Sequence, residues 1–235
     1  MTGLTLGVRL PMAGPVATPK RLIEAAQEAE RLGYSMLITL DHIHNSFEKG
    51  RYIPPGFGEY GDPDNTMEPT QFESVAGMAF LAGVTKNMDL LWSVVTLGLR
   101  DPILLAKQMS TIDALSGGRC ILGVGVGNVT DREEFGMLGR SFPSYDERWR
   151  MADKYISAMK ALWSEPRATF HGKYVNFEEC VLYPKPIRQR IPIWVGTRIL
   201  SDESPRTQFA IRHADGWVLP HLLMPEDVRS CAKTS

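Results

Sequence analysis

The sequence predicts an α/β fold with parallel strands, a TIM-type (β/α) barrel that is C-terminally incomplete. Three observations point there. Short β-branched runs alternate with longer amphipathic stretches, clear hairpin signals between them are lacking, and 235 residues suit a single domain spanning 1–235. The number of strands favours a barrel, although periodicity alone leaves an open doubly wound sheet as the alternative.

The elements follow in order. Leu4 to Leu10 reads as a first strand closed by Pro11. Thr18-Pro19 opens a helix, because Thr suits the N-cap and Pro the first helical turn. Leu22, Ala25, Ala26, Ala29 and Leu32 recur at helical spacing up to Gly33. Ser35 to Leu40 is the second strand, and a polar Gly/Pro-rich loop from Asn45 to Pro69 precedes a helix over Thr70 to Thr85. Met88 to Leu97 is apolar almost throughout, as a parallel strand covered on both faces should be. Asp101-Pro102 starts the next helix and Gly117-Gly118 ends it. Arg119 to Val126 is a strand, and a second long loop leads to a helix from Tyr145 to Trp163. Val181 to Tyr183 is a weak strand candidate. Ile191 to Val195, a polar helix from Glu203 to His213 and a strand at Gly216 to Leu219 complete the series. A closed barrel needs eight strands, and the chain stops about one strand-helix unit short. Such an opening leaves two edge strands unpaired, which predicts a homodimer.

Bulk properties narrow the function. A formal net charge of −1, with no run of Lys or Arg, gives no reason to bind nucleic acid or an acidic membrane surface. The N-terminus lacks a signal-peptide pattern, and the most apolar run, Leu90 to Leu99, is too short to cross a bilayer. Cys120, Cys180 and Cys231 lie far apart and are odd in number, which argues against a disulfide framework or zinc knuckle and for a cytoplasmic setting.

In a parallel barrel the chemistry sits at the C-terminal ends of the strands. Asp41-His42-Ile43-His44 follows the second strand directly. His42 suits a general acid or base because imidazole titrates near neutrality, and a His that merely caps a turn is an equally good reading. His42 and His44 also have the look of metal ligands, but of His171, His213 and His221 only His221 falls near a strand end, so no metal is expected. The run Gly123 to Asn128 is glycine-rich at a strand end, yet lacks the dinucleotide and phosphate-loop spacings. Ile193-Trp194-Val195-Gly196-Thr197-Arg198 offers backbone N–H groups, a hydroxyl and a guanidinium, a set suited to phosphate, with a solvated loop charge as the plainer reading of Arg198. Trp92, Trp194 and Trp217 read as core, and Asp215 as a turn residue.

Taken together, several segments resemble the bacterial luciferase-like family, especially its F420 (deazaflavin)-dependent branch. They are Ala25 to Gly33 with Asp41-His42, Leu97 to Gly127 (LGLRDPILLAKQMSTIDALSGGRCILGVGVG), Tyr145 to Trp163, Tyr183-Pro184-Lys185-Pro186, Ile191 to Gly196, and Ala214-Asp215-Gly216-Trp217. The resemblance implies an oxidoreductase using F420, or FMN as the second choice, for hydride transfer or monooxygenation of a small organic substrate. It implies Asp41 and His42 beside the ring as the catalytic pair. It places Ser93-Val94 where many members carry a non-proline cis peptide behind the ring. It implies that Gly125, Gly127 and Asn128 border the ring and that Gly196, Thr197 and Arg198 hold the phosphate. Asn128 stands where some deazaflavin dehydrogenases have an acidic residue, which argues against a sugar-phosphate dehydrogenase. Thr197-Arg198 replaces the commoner Gly-Ser. The alternatives are an FMN-dependent monooxygenase fed by a separate flavin reductase, a non-catalytic incomplete barrel that binds a cofactor or partner, and, last, a metal-dependent hydrolase.

Overall fold

The computed structural model describes residues 5–14, 16–43, 46–48, 51–53, 70–128, 131–196 and 204–218. The chain divides into two compact units, Met1–Trp92 and Ser93–Ser235. The first holds β1 (Gly7–Arg9), α1 (Pro19–Arg31), β2 (Met36–Thr39), β3 (Ser46–Glu48), β4 (Arg51–Ile53), α2 (Ser74–Val84) and the first half of β5 (Asp89–Thr96). Its sheet runs β1-β2-β5, all parallel, with Leu37 opposite both Val8 and Leu90. The Thr18 hydroxyl accepts from Arg21 N–H at 3.3 Å and caps α1, whose buried face of Leu22, Ala26 and Ala29 follows the helical period. Glu30 Oε1 accepts from Lys86 N–H at 2.9 Å and Asn87 N–H at 2.6 Å, so α1 fixes the turn that leads into β5.

The second unit continues with α3 (Pro102–Ser116), β6 (Cys120–Gly125), α4 (Arg132–Met137), α5 (Tyr145–Ser164), β7 (Ala168–His171), β8 (Asn176–Cys180), β9 (Ile193–Gly196), α6 (Pro205–His213) and β10 (Gly216–Val218). Its sheet runs β5-β6-β9-β10, and the β6–β9 and β9–β10 pairs are parallel. Asp101 Oδ1 accepts from Ile103 and Leu104 N–H, both at 2.9 Å, and caps α3. All six residues of β6 are buried, as suits a strand covered on both faces. Buried Asp113 accepts from Cys120 N–H and Ile187 N–H, tying the start of β6 to the segment before β9; burial raises its carboxyl above the usual range. Asp215 accepts from Arg190 and from Ile193 N–H, a structural role at the entry to β9. Among the described residues the strands of the main sheet follow one another in chain order, joined through helices, which is the strand order of the (β/α) barrel type and not of a doubly wound sheet.

Several expectations are corrected. The stretch read as a loop over 45–69 contains the antiparallel pair β3–β4. The helix expected from Thr70 begins at Ser74, because 70–72 is held extended: Gly14 N–H donates to Thr70 O and Phe72 N–H to Met12 O. Glu73 then caps α2 through Ala76 N–H at 2.7 Å. The loop before α5 contains α4. Val181–Tyr183 is not a strand; the hairpin is the antiparallel β7–β8 just before it. Leu4 and Leu219, expected in strands, lie outside the described residues. Trp92 is fully buried as expected, but Trp194 and Trp217 are half-buried.

The β7–β8 hairpin is attached to α5 by one carboxylate. Glu147 Oε1 accepts from Lys173 Nζ and Tyr174 Oη, both at 2.5 Å, and Oε2 accepts from Arg150 at 3.4 Å. The Lys173 and Tyr174 hydrogen bonds bring the Glu147 carboxyl from 4.5 down to about 2. A depressed native pKa means the clasp is intact above the ordinary carboxylate range and is lost as pH falls through the native value. A carbon-detected NMR titration of the Glu147 carboxyl should give a midpoint near 2. An ordinary midpoint would show that the clasp is absent in solution.

Candidate active site at the strand ends

In the first unit, Asp41 and His42 directly follow β2. Asp41 is only 2% exposed, and its Oδ1 accepts from the Ser74 hydroxyl at 2.6 Å, at the first residue of α2. His42 is half-buried, and its carbonyl accepts from Gln71 Nε2 at 3.0 Å. Gln71 is brought there by the extended 70–72 segment and its bridge to Ala13. Its Oε1 is buried with no hydrogen-bond partner among the described residues, and the side chain lines a small cavity with Leu10, Met12, Leu40 and Phe72. Gln71 and Ser74 therefore fix the turn that presents His42. Neither stood out in the sequence, because they lie some thirty residues further along the chain and only the extended start of the α2 segment brings them back.

In the second unit, Val94 gathers the other predicted positions. Gly125 ends β6 and Gly196 ends β9, each one step past the registered pair Val124–Val195. A Cβ at Gly125 would lie 2.7 Å from Val94 Cγ2, and one at Gly196 would lie 2.7 Å from Val94 Cγ1. Both distances are shorter than carbon atoms tolerate, so the two glycines together make the seat that the Val94 side chain fills. The Ser93–Val94 peptide is cis, and both residues are half-buried while Val95 beyond them is fully buried.

The turn after β6 is held separately. Gly127 has φ +77, and a Cβ there would meet Asp131 Oδ2 at 2.8 Å. That same oxygen accepts from Asn128 N–H at 2.8 Å. Arg148, 4% exposed, donates to Gly127 O at 3.1 Å and Pro143 O at 2.7 Å, with its guanidinium 4.0 Å from the Phe142 ring centre. Burial lowers the Arg148 pKa without removing its charge. Asn128 itself is exposed beside this braced turn. Asp131 and Arg148 escaped the sequence reading, since a carboxylate in a loop and an arginine on a helix have no distinguishing spacing. Thr197 and Arg198 lie outside the described residues.

With the strand-end geometry in hand, comparison with known proteins is decisive. Residues 3–231 match the family described as luciferase-like monooxygenase. The chain belongs to that family. Among its luciferase-like relatives, an uncharacterized protein of Mycobacterium tuberculosis is 30% identical over 194 residues, 83% of this chain and 65% of the relative. An F420-dependent glucose-6-phosphate dehydrogenase of Intrasporangium calvum is 27% identical over 181 residues, 75% of this chain and 48% of the relative. An FMNH2-dependent dimethylsulfone monooxygenase of Pseudomonas putida is 33% identical over 122 residues, 52% of this chain and 33% of the relative. The chain thus spans between a third and two thirds of the length of these relatives. The solved structure of the monooxygenase RslO1 from Streptomyces bottropensis shares the fold, with a TM-score of 0.72 at 22% identity over 98% of this chain and 64% of that one. An F420-dependent secondary alcohol dehydrogenase does so with a TM-score of 0.73 at 18% identity, again over 98% and 64%.

The Val94 seat makes a direct prediction. Gly125→Ala should destabilise the protein by about 1–3 kcal/mol through overpacking, and Val94→Ala should relieve most of that cost when the two are combined. A double-mutant cycle on urea unfolding reads the coupling. Strict additivity would show that Val94 does not occupy the space the glycine leaves.

Proposed function

We propose that this chain carries the cofactor-binding strand ends of an oxidoreductase that takes F420 as first choice and FMN as second, acting on a small organic substrate. The observation that carries the reading is the half-buried Val94 seated on Gly125 and Gly196 at adjacent strand ends. An apolar side chain, flush with two glycines and preceded by the polar Ser93, fits the face of a planar heterocycle. Bound there, the cofactor would supply two-electron chemistry, as hydride exchange with a substrate carbon or, for FMN, as oxygen activation. The protein's part is to orient, to exclude water and to move a proton.

His42 is the proton donor or acceptor, at an imidazole nitrogen, with its backbone held by Gln71. Asp41, locked by Ser74, keeps the turn in register beside it. Gly196, Thr197 and Arg198 hold the phosphate through backbone N–H groups, a hydroxyl and a guanidinium. The segment from Asn45 to Glu68 shapes the substrate pocket. F420 is preferred because the F420-dependent dehydrogenase of Intrasporangium calvum aligns over 75% of this chain. The FMN reading is supported by the higher, more local identity to the dimethylsulfone monooxygenase, and it brings a separate reductase as partner. Assembly as a homodimer is part of the same proposal.

Titration of the purified protein with F420 and with FMN, followed by cofactor fluorescence, tests this. One of them should bind with a Kd in the micromolar range or tighter, weakened about tenfold in Arg198→Ala, which is about 1.4 kcal/mol. Binding of neither contradicts the proposal and favours a non-catalytic partial barrel. With the preferred cofactor and its substrate, His42→Ala should leave Kd nearly unchanged and lower turnover by about a hundredfold or more. Unchanged turnover removes His42 from the mechanism.

A further inference from the structure

A second cavity, of about 540 Å³, lies wholly within the second unit between α5, α6 and the turn of the β7–β8 hairpin. One face of each helix lines it at the same i, i+3, i+7 spacing: Glu147, Arg150 and Lys154 from α5, and Pro205, Gln208 and Arg212 from α6. Lys173 and Tyr174 of the hairpin turn close the third side. Among the described residues, four cations face two carboxylates, so this part of the lining carries a net charge of two positive units.

The charges are organised. Glu147 holds Lys173 at 2.5 Å and Arg150 at 3.4 Å. Asp153, 8% exposed, holds Arg212 at 2.8 Å and Lys154 at 3.1 Å. Each carboxylate thus fixes two cations on the wall, and each cation keeps roughly half or more of its surface open. Behind Asp153 sits the buried His213, whose Nε2 lies 3.1 Å from Oδ1. Burial pushes the Asp153 carboxyl up, but the hydrogen bonds from Lys154 and His213 and the charges of Lys154 and Arg212 outweigh it, so it stays ionised. Trp149, 1% exposed, contributes to the wall, and its Nε1 donor has no hydrogen-bond acceptor among the described residues. A surface of isolated ion pairs would satisfy its charges pairwise. Here the described residues leave two positive charges over one hollow, within the usual size range of small-molecule sites, which is about 300–1,000 Å³.

We propose that this cavity is a second binding site, for a small anion carrying at least two negative charges as carboxylates or phosphates, bridging Arg150 and Lys154 of α5 to Lys173 of the hairpin turn and Arg212 of α6. The proposal does not depend on the cofactor reading above.

Isothermal titration of the purified protein at low ionic strength with citrate and, separately, with pyrophosphate tests it, alongside ¹H–¹⁵N spectra that follow the Trp149 indole N–H. At least one anion should bind saturably with a stoichiometry of one, move the Trp149 indole resonance, and weaken as salt rises. Citrate alone would assign carboxylate ligands, and pyrophosphate alone phosphates. The double variant Arg150→Ala/Lys154→Ala, checked for folding by circular dichroism, should lose at least tenfold in affinity. Arg150→Lys/Lys154→Arg should retain binding. Absence of saturable binding by both anions, or equal affinity in the parent and the alanine variant, overturns the proposal.

Discussion

The strand-end site depends on one packing constraint. Val94 occupies the space that side chains at Gly125 and Gly196 would claim, with both ideal Cβ positions 2.7 Å from its methyl groups. That contact joins β5, β6 and β9 at one level and sets how far Ser93 and Val94 stand out from the sheet. A larger residue at any of the three positions would displace the others, because the strands beneath are closely packed: Val95, Val124 and Val195 are almost completely buried. The glycines matter here for the volume they leave empty.

Around this seat the loops are braced by polar groups from elements distant in sequence. Asp131 and Arg148 clamp the Gly127–Asn128 turn, and in the first unit Ser74 and Gln71 hold Asp41 and the His42 backbone. In each case a buried or half-buried side chain bonds a backbone or carboxylate group at the end of a strand. Presentation of exposed groups by hydrogen-bonded, largely buried side chains is what a site needs if it is to orient a ligand without reorganising.

Much of this was legible in the sequence. Thr18-Pro19 and Asp101-Pro102 announced helix starts because capping is a local interaction, and the caps form as expected. The apolar runs in β5 and β6 announced buried parallel strands because burial on both faces leaves no alternation. Asp41-His42 and the three glycines were marked by the rule that chemistry sits where parallel strands end, and Ser93-Val94 by the family resemblance. What was not legible rests on non-local pairing. The β7–β8 hairpin is held by the Asn176 side chain bonding both the N–H and the C=O of Gly172 and by the stacked Phe170 and Phe177 rings. Gly172 between two short runs, 168–171 and 176–180, is the signal the sequence offers for it. The α2 start moved to Ser74 because strand-like pairing with 12–14 overrode a local helical pattern.

The central claim is that the Val94 platform receives the ring of the cofactor. Intermolecular NOEs between stereospecifically labelled Val94 methyl groups and the aromatic protons of bound F420 or FMN test it most directly. The account predicts strong NOEs from at least one Val94 methyl to ring protons. A tightly bound cofactor whose ring shows NOEs only to other side chains would contradict it.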